Sequence, residues 1–366
     1  MSEIRGVNLG NWLVLEKWMH PDLFRGTTAE DETELCWQLG EEKYARLKEH
    51  RDTYITKEDF AFIASKGMNT VRIPVPHFIF DDCEPYVGCI EYLDRAFQWA
   101  QETGLKILID LHTARDSQNG FDNGGICGVC KWHLKQENID HTVSVLEKLA
   151  IRYKDDPALY GIELLNEPIA PEMFAHMQAA NRYPPHDPAR AEGSCGVPDA
   201  VLRKFYTDAY HVLRKHLRDE IVIMFHDGFR LKNWKDFMQS EEFVNVVLDT
   251  HMYLGFATMG GKKPFGEVLQ IALAQFQNDI QEMSQYFPIV VGEWCFSFPM
   301  SVADEEDSEL ARQSMIRAAA ACQLYAFEKA YGWFFWSYKL ISEPQGWDAR
   351  KAFEAGWFPG NVVTGK

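Results

Sequence analysis

Two glutamates stand where apolar runs stop: Glu167 in GIELLNEP and Glu293 in VVGEW. Two carboxyl groups facing one another across a cleft can cleave a glycosidic bond. One protonates the departing oxygen while the other attacks the anomeric carbon or directs water at it. A retaining course needs the pair about 5 to 5.5 Å apart and an inverting course about 6.5 to 9.5 Å, a gap that sequence does not measure. Other apolar runs end in groups that could meet the same substrate: Arg72 in NTVRIP, His112 in ILIDLH, Asn166 beside Glu167, His251 and Tyr253 in DTHMY, and Trp336 in FFWSY. Singly, each has a plain structural explanation. An Arg or His after a strand often ties loops together, a Trp in FFW belongs in a core, and a Glu can cap the next helix. Convergence at six strand ends of eight is what points to a site.

The elements that must position these residues are short apolar runs separated by amphipathic stretches, the alternation of a parallel α/β sheet. The runs predict strands at Ile4–Leu9, Asn69–Ile73, Lys106–Leu111, Tyr160–Leu165, Ile221–Phe225, Val244–Asp249, Ile289–Gly292 and Trp333–Trp336. Helices are expected at Lys57–Ser65, Ile90–Glu102, Gln136–Arg152, Pro198–Leu217, Pro264–Tyr286 and Ser308–Ala330, with the weakest signal after strand five. Two of them open with Pro, which suits a first helical position. Eight strands with crossovers imply an α/β fold closed as a single (β/α)8 barrel, residues 1–366 forming one catalytic domain. In such a barrel the C-terminal strand ends build the site. The Pro-rich stretch 169–196 has little periodicity and reads as a long loop after strand four.

Composition excludes some classes. The formal net charge of −17 disfavours nucleic acid and anionic membranes. No apolar run is long enough to span a bilayer, and MSEIRGVNLG lacks the basic and apolar segments of a signal peptide, so a cytoplasmic protein is expected if Met1 is the native start. Aromatic residues make up 13% of the chain, which suits stacking on sugar faces as well as a large core. The eight cysteines are scattered, as in a reduced cytosolic enzyme. Cys127, Cys130 and His133 in CGVCKWH have zinc-like spacing but fall short of four ligands, so no metal and no cofactor is expected.

Taken in order, RGVNLGNWLVLE, TVRIP, ILIDLH, LLNEP, THMY, VVGEW and FFWSY resemble glycoside hydrolase family 5, within the clan of retaining (β/α)8 glycosidases, from Arg5 to Tyr338. The resemblance implies that Glu167 is the acid/base and Glu293 the nucleophile, with Arg72 beneath the nucleophile and Asn166 on the sugar 2-hydroxyl. It also implies that Tyr253 bonds the nucleophile, that His112 and His251 line the first sugar site, and that Trp336 is the platform under that sugar. A cation near one carboxylate and a drier setting for the other would split their pKa values into nucleophile and acid. Within the family, NWLVLE, SQNGFDNGG and HMYLGF look most like fungal exo-β-1,3-glucanases. That likeness implies that Glu16 and Asn123 hold the terminal glucose and that Phe121 and Phe256 clamp the entrance.

The chain departs from that pattern after strand three, where HTARDSQNG replaces a Gly-Ala-Pro-Gly run and sets Arg115 and Asp116 near the expected pocket. Family relatives acting on a glycolipid, a flavonoid or sterol glycoside, or a mannan stay open as alternatives, as does the oligomeric state. A non-catalytic carbohydrate-binding barrel is disfavoured because both carboxylates are present.

Overall fold

The structure is a computed structural model describing residues 4–179, 181–257, 263–297, 308–342 and 345–362; the side chains of 256 and 257 lie outside that description. Eight parallel strands pair in chain order and close on themselves: β1 Ile4–Asn8, β2 Thr70–Val75, β3 Lys106–Leu111, β4 Leu159–Glu163, β5 Val222–His226, β6 Val246–His251, β7 Ile289–Trp294 and β8 Gly332–Phe335. All eight lie within two residues of the bounds read from the sequence. Both faces of each strand are covered, which is why the strands read as continuous apolar runs. Alternation sorts the side chains. Val71, Ile73 and Val75 face the helical layer, whereas Ile4, Leu108, Val222, Met224, Val247, Val290 and Phe334 fill the barrel's interior floor.

Between β1 and β2 the chain forms three helices, α1 Glu32–Leu39, α2 Glu42–Tyr54 and α3 Lys57–Ser65, of which only the last was expected. The side chain of Asp31 caps α1 by accepting from Glu34 N. The apolar period of α2 is masked because its buried face includes Lys43, His50 and Arg51. Arg51 donates to the Val87 and Gly88 carbonyls and lies 3.7 Å from the buried Glu32 carboxylate. The crossovers α4 Ile90–Thr103 and α5 Gln136–Tyr153 follow the sequence pattern.

The stretch after β4 is a correction to the sequence reading. It contains α6, Pro171–Ala179, and a further turn at Pro188–Ala191, so it is a folded insertion rather than a featureless loop. Phe174 and Met177 of α6 join Phe121, Cys130 and Ile169 in a separate apolar cluster, and that burial stabilises the insertion. The next helix, Asp199–Arg214, and the one beginning at Phe265 take Pro198 and Pro264 as N-caps, not as first helical residues. After β5 there is no α-helix before β6, only the 3-10 turn Leu231–Trp234. Trp234 fills that gap, with its ring 5.2 Å from Phe225 and 5.1 Å from Phe237.

Candidate active site

The C-terminal half of the barrel interior is polar, and its centre is Arg72. Its side chain is fully buried, and it donates from Nε to Glu163 Oε2 (2.7 Å), from Nη1 to Asn8 Oδ1 (2.9 Å) and Glu293 Oε1 (3.2 Å), and from Nη2 to Asn166 Oδ1 (2.9 Å). Asp110 Oδ2 lies 3.1 Å from the same guanidinium. Burial opposes its charge, but Asp110, Glu163 and Glu293 outweigh that and hold it well above the usual arginine range. Asp110, Glu163 and Asp249 were missed by inspecting strand ends alone. Their signal was available, because each is the acidic residue inside an otherwise apolar strand, in ILIDL, GIELL and VVLD.

Asn166 and His112 are oriented in turn. With its Oδ1 taken by Arg72, Asn166 presents Nδ2 to His112 Nε2 at 3.4 Å, while His112 Nδ1 bonds Asp110. The His112 ring stacks 5.7 Å from Trp336 at 11°. Gly292 permits the next contact: its N–H donates to Asp249 Oδ1 (2.7 Å), and a Cβ there would lie 2.2 Å from that oxygen.

His251 joins the two glutamates. Its Nδ1 is 2.7 Å from Glu167 Oε1 and 3.4 Å from Glu293 Oε2, and its Nε2 is 3.2 Å from Asp249 Oδ2. One nitrogen therefore lies within ion-pair distance of both carboxylates, which puts their nearer oxygens no more than about 6 Å apart, short of the roughly 6.5 to 9.5 Å of inverting glycosidases. Tyr253 donates to Glu293 Oε2 (2.7 Å) and Asn123 Nδ2 to Glu167 Oε2 (3.0 Å). Glu167 itself has a φ of 47°, in the left-handed region that L-residues avoid.

The charge division differs from the sequence expectation. Burial acts to raise Glu167, but the His251 hydrogen bond and charge prevail and hold it down at about 2. Burial raises Glu293 above the ordinary range despite His251 and Arg72. Burial disfavours the charged imidazole of His251, yet Glu293, Asp249 and Glu167 hold it well above the usual histidine range. These directions favour a charged His251 beside an ionised Glu167, and Arg72 alone does not set the split between the glutamates.

A cavity of about 770 Å³ opens over these groups. Of the residues expected at the site, Glu16, Phe121, Asn123, Glu167, His251, Tyr253, Glu293 and Trp336 line it, whereas Arg72, His112 and Asn166 lie behind the lining. The Phe256 side chain lies outside the described residues. Burial, then Asp122, holds Glu16 well above the carboxylate range, and Trp18 Nε1 donates to its Oε2 at 2.7 Å. Trp347 edges Trp18 at 5.2 Å and tilts over Tyr253 at 5.4 Å. Unforeseen lining residues include Trp18, Trp347, Asp122, Phe229 and five contributed by the insertion, Met173, His176, Met177, Arg182 and Tyr183. They carry no strand-end signal, because loops place them.

Arg115 and Asp116 do not approach the pocket as expected. Arg115 donates to Cys83 Sγ, and Asp116 accepts from Lys135 and Asn138, because left-handed φ values at Asp116 and Ser117 turn the chain away. The CGVCKWH residues separate. The Cys127 backbone N–H donates to Asp31, Cys130 lies in the apolar cluster, and His133 Nε2 is 3.5 Å from Cys195 Sγ. Among the described residues, two groups have metal-like geometry, Glu167–His226–His251 and Asp82–Cys83–His141. In the first, Glu167 and His251 are engaged in the hydrogen bonds above and His226 Nδ1 accepts from Gly228 N–H, and the second lies beside the cations Arg115 and Lys148, which oppose a metal ion.

The family profile described as Cellulase (glycosyl hydrolase family 5) matches residues 38–340. The chain is 34% identical to a probable glucan 1,3-beta-glucosidase A of Emericella nidulans, over 98% of this chain and 90% of that one. It is 31% identical to glucan 1,3-beta-glucosidase I/II of Saccharomyces cerevisiae, over 97% and 85% of the two chains. Among solved structures, a rutinosidase from Aspergillus niger superposes with a TM-score of 0.79 at 22% identity, covering 98% of each chain, a likeness of fold.

Proposed function

The chain belongs to glycosyl hydrolase family 5, and from that premise we propose that it is a retaining β-glucosidase removing single terminal glucosyl units, including those at the ends of β-1,3-linked glucose chains. The observation that carries the reading is the single imidazole nitrogen of His251 bridging Glu167 and Glu293, a spacing suited to direct attack. Glu293, held by Arg72 and Tyr253, attacks the anomeric carbon as the glycosidic C–O bond breaks. Glu167 delivers a proton to the departing oxygen, then takes one from the water that releases glucose.

Glu167 starts as a carboxylate beside a charged His251. Sugar filling the cavity removes water from both charges, which favours moving the proton across the 2.7 Å bond to give a neutral pair with Glu167 as the acid. Glu16 and Asp122 close the far end around the terminal sugar. Eight unpaired thiols suit a reducing compartment and support a cytoplasmic location as part of this proposal.

Glu293→Gln should lose nearly all activity. Glu167→Ala should keep far more activity on activated aryl glucosides than on poor leaving groups. Proton NMR of the first product should show the β anomer, and early products from a β-1,3-glucose oligomer should be glucose alone; a first-formed α anomer or a ladder of internal fragments overturns the reading.

A further inference from the structure

The side of the cavity that receives the leaving group has a chemistry of its own. It can be located from Glu167, whose proton goes to the departing oxygen. Asn123, which donates to Glu167, is two residues from Phe121. His226, packed 4.3 Å from the His251 ring, lies 5.4 Å from Phe229. The wall that begins beside the acid is therefore Phe121 and Phe229. The insertion extends it: Tyr183 lies 4.9 Å from Phe121, and α6 presents Met173 and Met177 from one face, four residues apart. These residues belong to the apolar cluster of Phe121, Cys130, Ile169, Phe174 and Met177, so the wall is backed by packed side chains.

A second sugar in that position would carry hydroxyls around its rim, each needing a partner once out of water. Rings and thioethers do not supply them, and the polar side chains His176 and Arg182 that the insertion adds to the lining are exposed residues already in water. An apolar alcohol brings one polar atom, the glycosidic oxygen, and Glu167 serves it. Methionines also adapt to irregular apolar shapes.

We propose that this wall is a hydrophobic-alcohol site, so that the preferred substrate is a β-glucoside of an apolar alcohol and not of a second sugar. This rests on the β-glucosidase reading above. The test is a series of methyl, butyl and octyl β-D-glucosides set against phenethyl β-D-glucoside and a β-1,3-linked glucose disaccharide. Leaving-group acidity barely changes along the alkyl series, so differences report binding. Each methylene buried is worth about fourfold, and kcat/KM should rise at least about tenfold from methyl to butyl, with octyl or phenethyl exceeding the disaccharide by a similar factor. The better of octyl and phenethyl identifies the alcohol as chain-like or aromatic.

Met177→Asn and the less buried Met173→Gln should both flatten the chain-length dependence, chiefly through KM. A flat alkyl series with the disaccharide preferred overturns the proposal while leaving the β-glucosidase reading intact. No glucose from any of the five overturns both.

Discussion

Replacing His251 with Phe removes a group that lies within ion-pair distance of both proposed catalytic carboxylates, and its consequences can be worked out limb by limb. In the native site the proton needed for leaving-group departure is stored mainly on His251, held well above the ordinary histidine value, so the basic limb of the pH–rate profile should lie above about 6.5. Without the imidazole the proton must reside on the carboxyl pair, and the basic limb should fall by one pH unit or more, roughly. At the same time Glu293 loses the largest influence that lowers it, and its ionisation, which sets the acid limb, should move up. The bell therefore narrows from both sides. The drop of Glu167 from 4.5 to about 2, to which His251 contributes most among the lowering influences, corresponds to roughly 3 kcal/mol of preference for the charged form, so the variant's Glu167 should hold its own proton to higher pH than the native one does. The assay is kcat/KM for 4-nitrophenyl β-D-glucoside from roughly pH 4 to 9, with His251→Gln as a variant that keeps a hydrogen-bonding side chain but cannot hold the proton. A variant profile of native shape and reduced height would refute the reasoning, because it would make His251 a spacer and not a proton store.

Two further outcomes concern the whole molecule. Buried Glu32 at about 7 and Asp122 and Asp227 at about 6 bind protons more tightly folded than unfolded, so their contribution is present at low pH and lost as pH rises through those values. Buried His50, His77 and His226 at about 3 act oppositely, contributing above about 6.5 and losing that as pH falls, so thermal melting should show Tm greatest near about pH 6; a Tm climbing steadily to pH 8 contradicts this. The enzyme should also keep full activity with reductant and chelator together, since its thiols are free, and unfolding on either treatment would show a disulfide or a bound metal.

The barrel was legible because strands buried on both faces leave unbroken apolar runs, and the structure brings the residues stopping those runs together at or behind one cavity. Glu167, Glu293, His251 and Tyr253 were found in this way, and their hydrogen bonds connect them. The carboxylates neutralising Arg72 were overlooked because they lie inside strands, where alternation turns them to the barrel axis. Helix α2 was illegible because buried Lys43, His50 and Arg51 break its apolar period. The insertion wall was illegible for a different cause. Met173, Met177 and Tyr183 join the cavity wall by packing with the cluster of Phe121, about fifty to sixty residues earlier in the chain, a contact no local pattern encodes.

The left-handed backbone at Glu167 sets local strain against hydrogen bonding at one position. Glycine there would relieve about 1 kcal/mol of backbone strain but would take away the carboxylate that pairs with His251 at 2.7 Å and accepts from Asn123. Relaxing the backbone at this site therefore costs the hydrogen bonds that the strained conformation makes possible, so a glycine or asparagine variant should not melt later than the native chain.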